Sequence, residues 1–307
     1  MKRIVSVSIG SSKRDHKAEL RVLGEDVIVE RIGTDGDIDK AIRVIRDLDG
    51  KVDAFGMGGI DLYIWHGGKR YTFREAKRIA RAAQKTPIVD GSGLKNTLER
   101  HVIELLWRDH RGLLQNKRVL MVCAMDRFGM AEAVDSLDCE VLYGDLIFAL
   151  GLPLPLANLK ALGRVARVLA PFIVQLPFSL LYPTGKKQDE SRQQTKFARY
   201  YQWADVIAGD FHMIKKYLPP DLAGKTVITN TVTQGDVDLL QSIGVAHLVT
   251  TTPHICGRSF GTNVIEGLLV ALLGKPVDSI TPQDYRGILE KLEFQPWIHD
   301  FSSGTEA

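Results

Sequence analysis

Apolar and polar residues alternate at the start of the chain, RIVSVSIG (3–10), the two-residue period of a half-buried strand. AELRVLGEDVIVERIG (18–33) then reads as two short strands joined at Leu23-Gly24-Glu25, a hairpin. TDGD (34–37) follows, and Asp37 is placed to cap a helix with Ile38, Ala41, Ile42, Ile45 and Leu48 on its inward face. VDAFGMGG (52–59) is the next strand. Thr72-Phe73-Arg74-Glu75 has the form of a capping box ahead of a helix carrying Ala76, Ile79, Ala80 and Ala83. TPIVDGSG (86–93) is a strand ending in glycines, and a longer helix follows from Leu94 to Trp107.

RDHRGLLQNKR (108–118) is charged and irregular, which places a boundary near residue 113. Beyond it VLMVCAM is a strand, FGMAEAVDSL a helix and CEVLYGD (139–145) the next strand. WADVIAGD (203–210), KTVITNT (225–231) and HLVTTT (247–252) are later strands, NVIEGLLVALLG (263–274) is a strongly apolar helix, and Thr281-Pro282-Gln283-Asp284 opens a last one. The alternation predicts an α/β protein of two domains, each a mostly parallel sheet with flanking helices, the second Rossmann-like. The expected divisions are 1–112 on the substrate side, 113–280 for nucleotide binding, and 281–307 as a C-terminal helix and tail.

Composition narrows the function classes. A chain of 307 residues with 45% hydrophobic content has enough material for a sizeable core. Its 40 basic and 37 acidic residues balance to +3 with no block of one sign, which argues against a dedicated nucleic-acid surface. Cys123, Cys139 and Cys256 lack any CxxC spacing, so free thiols are expected, with no disulfide framework and no metal site. The N-terminus turns polar too soon for the apolar core of a signal peptide. VLAPFIVQLPFSLLYP (168–183) contains three prolines and is short of the roughly 20 residues of a membrane span, so it reads as core and turn. A soluble cytoplasmic protein with no membrane partner is expected. The apolar stretch 146–183 is a candidate homo-oligomer interface, with burial in the core as the default.

Three stretches carry candidate chemistry. In AMDRFG, after the first strand of the second domain, Ala124, Asp126 and Gly129 stand at the positions of a G-x-G-x-x-G fingerprint. Asp126 puts a negative charge where a pyrophosphate would approach, which costs about 1 to 4 kcal/mol at ~4 Å. Arg127 and the helix-start amides of Phe128, Gly129 and Met130 favour an anion, and Asp145 stands where an acid would take a ribose hydroxyl. A plain structural crossover is the alternative. In the first domain, GMGGIDLY (56–63) and VDGSGLKNT (89–97) place glycines and acids where strands give way to loops, the usual ligand edge of an open α/β sheet. Gly56, Gly58 and Gly59 would allow close backbone approach, and Asp61, Lys69, Asp90 and Lys95 are the ionisable groups nearby. A Lys-Asp pair in a partly dry cleft polarises a hydroxyl for proton transfer. The bland alternative is turn glycines with solvated charges. In TTTPHICGRSFGTNVIEG (250–267), Arg258 precedes a helix N-terminus, an anion or cofactor contact, and Thr231 and Thr252 line the same strand ends. His254 reads as a solvated loop histidine, and Cys256 as a nucleophile would need a base partner.

This arrangement, with LLQNKRVLMV entering the second domain and TTTP after a later strand, resembles the shikimate/quinate dehydrogenases, more narrowly the bacterial proteins labelled quinate 5-dehydrogenase. The resemblance implies a small hydroxylated carboxylic acid as substrate, a Lys-Asp pair, and hydride transfer to NAD or NADP. The family's lysine follows a Pro-His pair, which this chain lacks. Its catalytic aspartate lies in Asn-Thr-Asp, where this chain has Lys95-Asn96-Thr97-Leu98, so Asp90 and Lys95 stand as substitutes. Two other readings stay open. One is a divergent, non-catalytic protein binding another metabolite on the same two-domain shell. The other is a nucleotide-sugar-dependent glycosyltransferase, because FGTNVIEGLLVALLGKPV (260–277) is similar to the glycine-glutamate helix of such enzymes, with Glu266 on the ribose.

Overall fold

The computed structural model describes residues 1–66, 69–176, 197–252, 254–255 and 258–301. The side chains of 64–69 and 253–259 lie outside that description. The chain forms two compact units, and neither is continuous in sequence. The first is built from Met1–Thr97, Leu169–Glu190 and Gly261–Phe294, the second from Leu98–Val168, Ser191–Phe260 and Gln295–Ala307. The linear division near residue 113 gives way to this interleaving. The cause is visible in the packing: residues 261–280, expected with the second domain, carry the helix that covers the first sheet.

In the first unit, β1 (Lys2–Ser8) is the central strand. It pairs in parallel with β3 (Glu25–Gly33) and β4 (Ala54–Gly58), and β4 pairs with β7 (Ile88–Val89). The antiparallel β2 (His16–Val22) closes the edge, giving the order β2-β3-β1-β4-β7. The β2–β3 connection bends at Leu23 (φ 51°) and Gly24 (φ 82°), the paired positive φ of a tight hairpin turn. On one face, Val5, Val7, Phe55 and Met57 pack against α1 (Ile38–Leu48) and α2 (Arg74–Ala80) through Ala41, Ile42, Ile45, Ala76 and Ile79. Asp37 caps α1 as its side chain accepts from the Lys40 amide.

The other face explains why an alternating strand is buried on both sides. Ile4 and Ser6 are as buried as Val5 and Val7, because the apolar helix α10 (Thr262–Leu273) lies over them. Asn263 Nδ2 donates to Ser6 Oγ at 2.8 Å, which satisfies a hydroxyl that would otherwise face apolar surroundings. A Cβ at Gly56 would lie 2.8 Å from the Asn263 carbonyl oxygen, and one at Gly58 would lie 2.8 Å from Ser8 Cβ. These two glycines therefore serve internal packing rather than the approach of a ligand. α11 (Pro282–Lys291) follows with the expected Thr281 cap, which is reciprocated by Asp284. The capping box expected at Thr72 does not form. Thr72 is taken into β6 (Lys69–Thr72), which pairs with β5 (Tyr63–His66), and Phe73 stands at the N-cap of α2.

The second unit has the sheet order β15-β12-β11-β10-β8-β9. β8 (Arg118–Met121), β9 (Glu140–Tyr143), β10 (Val206–Gly209), β11 (Thr226–Thr229) and β12 (His247–Thr250) are parallel, and β15 (Trp297–Asp300) is antiparallel to β12. In order of appearance the parallel strands run 2-1-3-4-5, a doubly wound sheet with a single strand beyond β8. Residues 281–307 are not a separate tail, since α11 belongs to the first unit and β15 completes the second sheet. Residues 168–173 of the greasy stretch end α6 (Leu159–Ile173), while 177–183 lie outside the described residues. Among the described residues, no helix is long and apolar enough to cross a membrane.

Candidate functional site

At the carboxyl edge of the first sheet, β4 leads to Asp61 and β7 to Asp90, and α3 (Ser92–Asp109) starts directly afterwards. Lys95 sits in the first turn of α3. Its Nζ lies 3.2 Å from Asp61 Oδ1, with 8% of the lysine side chain and 20% of the aspartate side chain exposed. Asp90 is buried and accepts from the Leu62 amide and from both the amide and the hydroxyl of Ser92. Burial raises its pKa, while the Ser92 and Leu62 bonds and the Lys95 charge pull the other way.

Glu266 reaches the same place from α10. Its Oε2 accepts from the Gly91 amide at 2.6 Å and its Oε1 from Tyr285 Oη at 2.8 Å. Burial, and then the charge of Asp90, push this carboxyl up to about 8. The hydroxyls of Tyr63 and Tyr285 are also raised, first by burial and then by Glu266. A bland account exists for part of this cluster, because Asp90 and Glu266 both satisfy amides at the start of α3, where a negative charge is favoured. Glu266, the ribose ligand of the glycosyltransferase reading, is buried and bonded through both oxygens within the first unit.

The backbone is tightly held here. Gly91 has φ +98°, and a Cβ on it would lie 2.9 Å from the Asn263 amide nitrogen. Gly91→Ala is expected to lower stability by about 2 kcal/mol or more. Urea denaturation checks this, and an unchanged midpoint would contradict it.

Asp61, Asp90 and Lys95 thus come together as expected from their strand-end positions, whereas the side chain of Lys69 lies outside the described residues. Ser92, Tyr63 and Tyr285 carry no mark in the sequence that joins them to this cluster. Glu266, a ribose ligand on the sequence reading, is a lone acid in an otherwise apolar helix, itself a sign of a buried partner.

In the second unit the loop 122–127 between β8 and α4 (Phe128–Asp135), together with Asp210 after β10, occupies the point where the strand order reverses. Arg127 is fully buried. It donates to Glu99 and, at 2.9 Å, to Asp210 Oδ2, and its Nε lies 4.0 Å from Asp126. Burial lowers the guanidinium pKa, but Glu99, then Asp210 and Asp126, outweigh it and raise the value overall. Asn230 Nδ2 donates to the same Asp210 oxygen at 2.9 Å.

Asp145 does not reach outward toward a ribose. Its oxygens accept from the Met125 amide at 2.8 Å and the Ala124 amide at 3.2 Å. Burial pushes it up to about 6 against the pull of those bonds. Phe128, Gly129 and Met130 open α4, which carries no side-chain cap. Thr252 is buried and donates to the Asn230 carbonyl at 2.9 Å, and Thr231 is half-buried. The side chains of His254 and Arg258 and the whole of Cys256 lie outside the described residues. The Cys123 thiol is buried, and its pKa is raised by that burial. Among the described residues, no group of three or more His, Cys, Asp or Glu is placed to hold a metal ion. Asp210 and Asn230 each follow a strand directly, a position that could have flagged them, but Glu99 lies inside α3 with nothing in the sequence to mark it.

The fold and its charged strand ends define a class, the two-unit α/β proteins with mostly parallel sheets. Within it the chain belongs to the family described as Domain of unknown function (DUF8754), which matches residues 93–301. Residues 3–90 match a second, Domain of unknown function (DUF8753). The first-unit cluster draws on both segments, Asp61, Tyr63 and Asp90 from one and Lys95, Glu266 and Tyr285 from the other. No curated protein matches the sequence.

Solved structures with a similar trace include a sugar ABC transport system substrate-binding protein from Bordetella parapertussis 12822 (11% identity, 100% of this chain and 92% of that one, TM-score 0.39). Another is L-tryptophan dehydrogenase from Nostoc punctiforme (10% identity, 95% and 80%, TM-score 0.38). A third is ornithine carbamoyltransferase from Pyrococcus furiosus (13% identity, 91% and 86%, TM-score 0.36). At these scores the likeness bears on neither activity nor ligand.

Proposed function

We propose that the chain is an enzyme that holds a small hydroxylated carboxylic acid at the carboxyl edge of its first sheet and moves a proton there. The observation that carries this is the Lys95–Asp61 pair at 3.2 Å, nearly shielded from water and flanked by the buried Asp90. In this reading Lys95 binds the substrate's carboxylate or a developing oxyanion. Asp61, the more open partner, takes a proton from carbon beside a carbonyl. Asp90 keeps the loop that carries Asp61 in place through the Leu62 amide.

Quinate, shikimate and their keto forms are the first ligands to test. A bound acid raises the melting temperature, because any ligand that prefers the folded state stabilises it. The keto form should also take up deuterium from solvent next to its carbonyl. Lys95→Ala is expected to abolish both effects while leaving the free protein folded. Retention of both by that variant would overturn the proposal and leave the pair as a structural ion bridge.

A second reading, an NAD(P)-dependent oxidoreductase of the quinate/shikimate dehydrogenase type, is favoured by one observation. Loop 122–127 lies at the reversal point of the second sheet, where dinucleotides bind in such folds. The residues present do not fit a pyrophosphate. Asp145 holds the loop amides, three carboxylates neutralise Arg127, and Asp126 adds charge of the wrong sign. Proton transfer alone is therefore the step proposed for this chain. NADH and NADPH at millimolar concentration separate the readings, a rise in melting temperature speaking for the oxidoreductase.

A further inference from the structure

Away from the strand-end cluster, the first unit carries a concavity of about 650 Å³ lined by Arg46, Arg74, Lys77, Arg78 and Arg81. Among the described residues, Glu75 is the one acid on its wall. Arg46 comes from the last turn of α1, and the other four come from α2 and its C-cap. Arg78 pairs with Asp39 at 2.6 Å, in the open, with 65% and 63% of the two side chains exposed. Among the described residues, Arg46, Arg74, Lys77 and Arg81 have no carboxylate within ion-pair distance.

Helix ends account for part of this pattern. Cations in a last turn face the negative end of the helix dipole, which suits Arg46, Lys77 and Arg78. Arg74 is the first residue of α2, the end where a cation is disfavoured, yet it lines the same hollow. Like charges gathered on a concave wall raise the local positive potential and repel one another until an anion arrives. Four of the five are arginines, whose planar fork matches two phosphate oxygens at once. The volume lies within the range of about 300–1,000 Å³ of small-molecule sites.

We propose that this concavity binds a compact anion carrying several linked phosphates, either the triphosphate of a nucleotide or an inorganic polyphosphate. The site is independent of the acid–base reading of the strand ends.

The test is calorimetric titration of the full chain with inorganic tripolyphosphate, ATP, adenosine and a duplex DNA oligonucleotide. Tripolyphosphate and ATP should bind and adenosine should not. Equal affinity for the first two assigns recognition to the phosphates alone, and tighter ATP adds a base contact. The double variant Arg74→Ala/Arg81→Ala should weaken triphosphate binding at least about tenfold. Salt at roughly 1 M should do the same by screening. Lys13→Ala, at a cation outside the hollow, and Lys95→Ala should leave binding unchanged. Both Arg74 and Arg81 are exposed, so the double variant should melt as the parent does. Undiminished binding in the double variant would overturn the proposal. So would failure of tripolyphosphate to bind the parent, or preference for the duplex over the triphosphates.

Discussion

Arg127→Ala is expected to destabilise the protein by about 3–5 kcal/mol, because it strands Glu99 and Asp210 as buried charges with their main counter-ion gone. The loss comes from the carboxylates left behind more than from the arginine itself. Asp210 keeps its bond from Asn230, and Glu99 is almost wholly buried, where an ionised carboxylate is costly. Neutralising the acids at the same time, as in Arg127→Met/Glu99→Gln/Asp210→Asn, should therefore recover most of the deficit. Urea unfolding of the variants measures both effects. A single-variant loss below about 1 kcal/mol would mean that water reaches the network and screens it.

The second large effect is a fall in stability as pH rises from about 4.5 to about 8. Folded Glu266 keeps its proton up to about 8, against an ordinary 4.5, because it is buried beside Asp90. Within that window the folded chain holds a proton that the unfolded chain has released, so unfolding becomes easier with each step up in pH. Below 4.5 both states are protonated, and above 8 both are ionised, so this group adds no slope there. The change across the window is on the order of a few kcal/mol. Asp145, raised to about 6 from 3.8, adds a slope of the same sign in the lower part of the range. Asp205, depressed to about 2 mainly by Arg118, acts only at more acid pH, where its contribution is lost as pH falls. Denaturation midpoints at a series of pH values should show the decline, and Glu266→Gln should flatten it. If that variant folds poorly, Asp90→Asn should reduce the slope by removing the neighbouring charge. A slope unaltered in both would show that the pair does not hold the proton.

How far the sequence could be read depends on whether the relevant interaction is local. The α1 cap at Asp37, its inward face, the turn at Leu23-Gly24 and the Thr281 cap are settled by residues within one or two turns of each other, and all were legible. Thr72 failed for a different reason, because pairing with Tyr63 in the neighbouring strand β5 outweighed the capping motif. The strand-end acids Asp61 and Asp90, and Lys95 just beyond, could be placed, since open sheets gather such residues at one edge. Glu266 could not be joined to them. Gly91, whose amide it accepts from, lies 175 positions away in the chain, and only the folding of α10 onto the first sheet brings the two together. Arg127 was legible as a charge but not as a buried one, because Glu99 and Asp210 approach it from elsewhere in the sequence.

The placement of α10 over β1 and β4 also bears on synthesis. Residues 3–90 look like a finished α/β module in sequence, yet the lid over Ile4, Ala54 and Gly56 emerges from the ribosome only after more than half the chain has been made. Until then the nascent first sheet has one naked side, and a shorter fragment ending at residue 90 would carry that bare surface permanently.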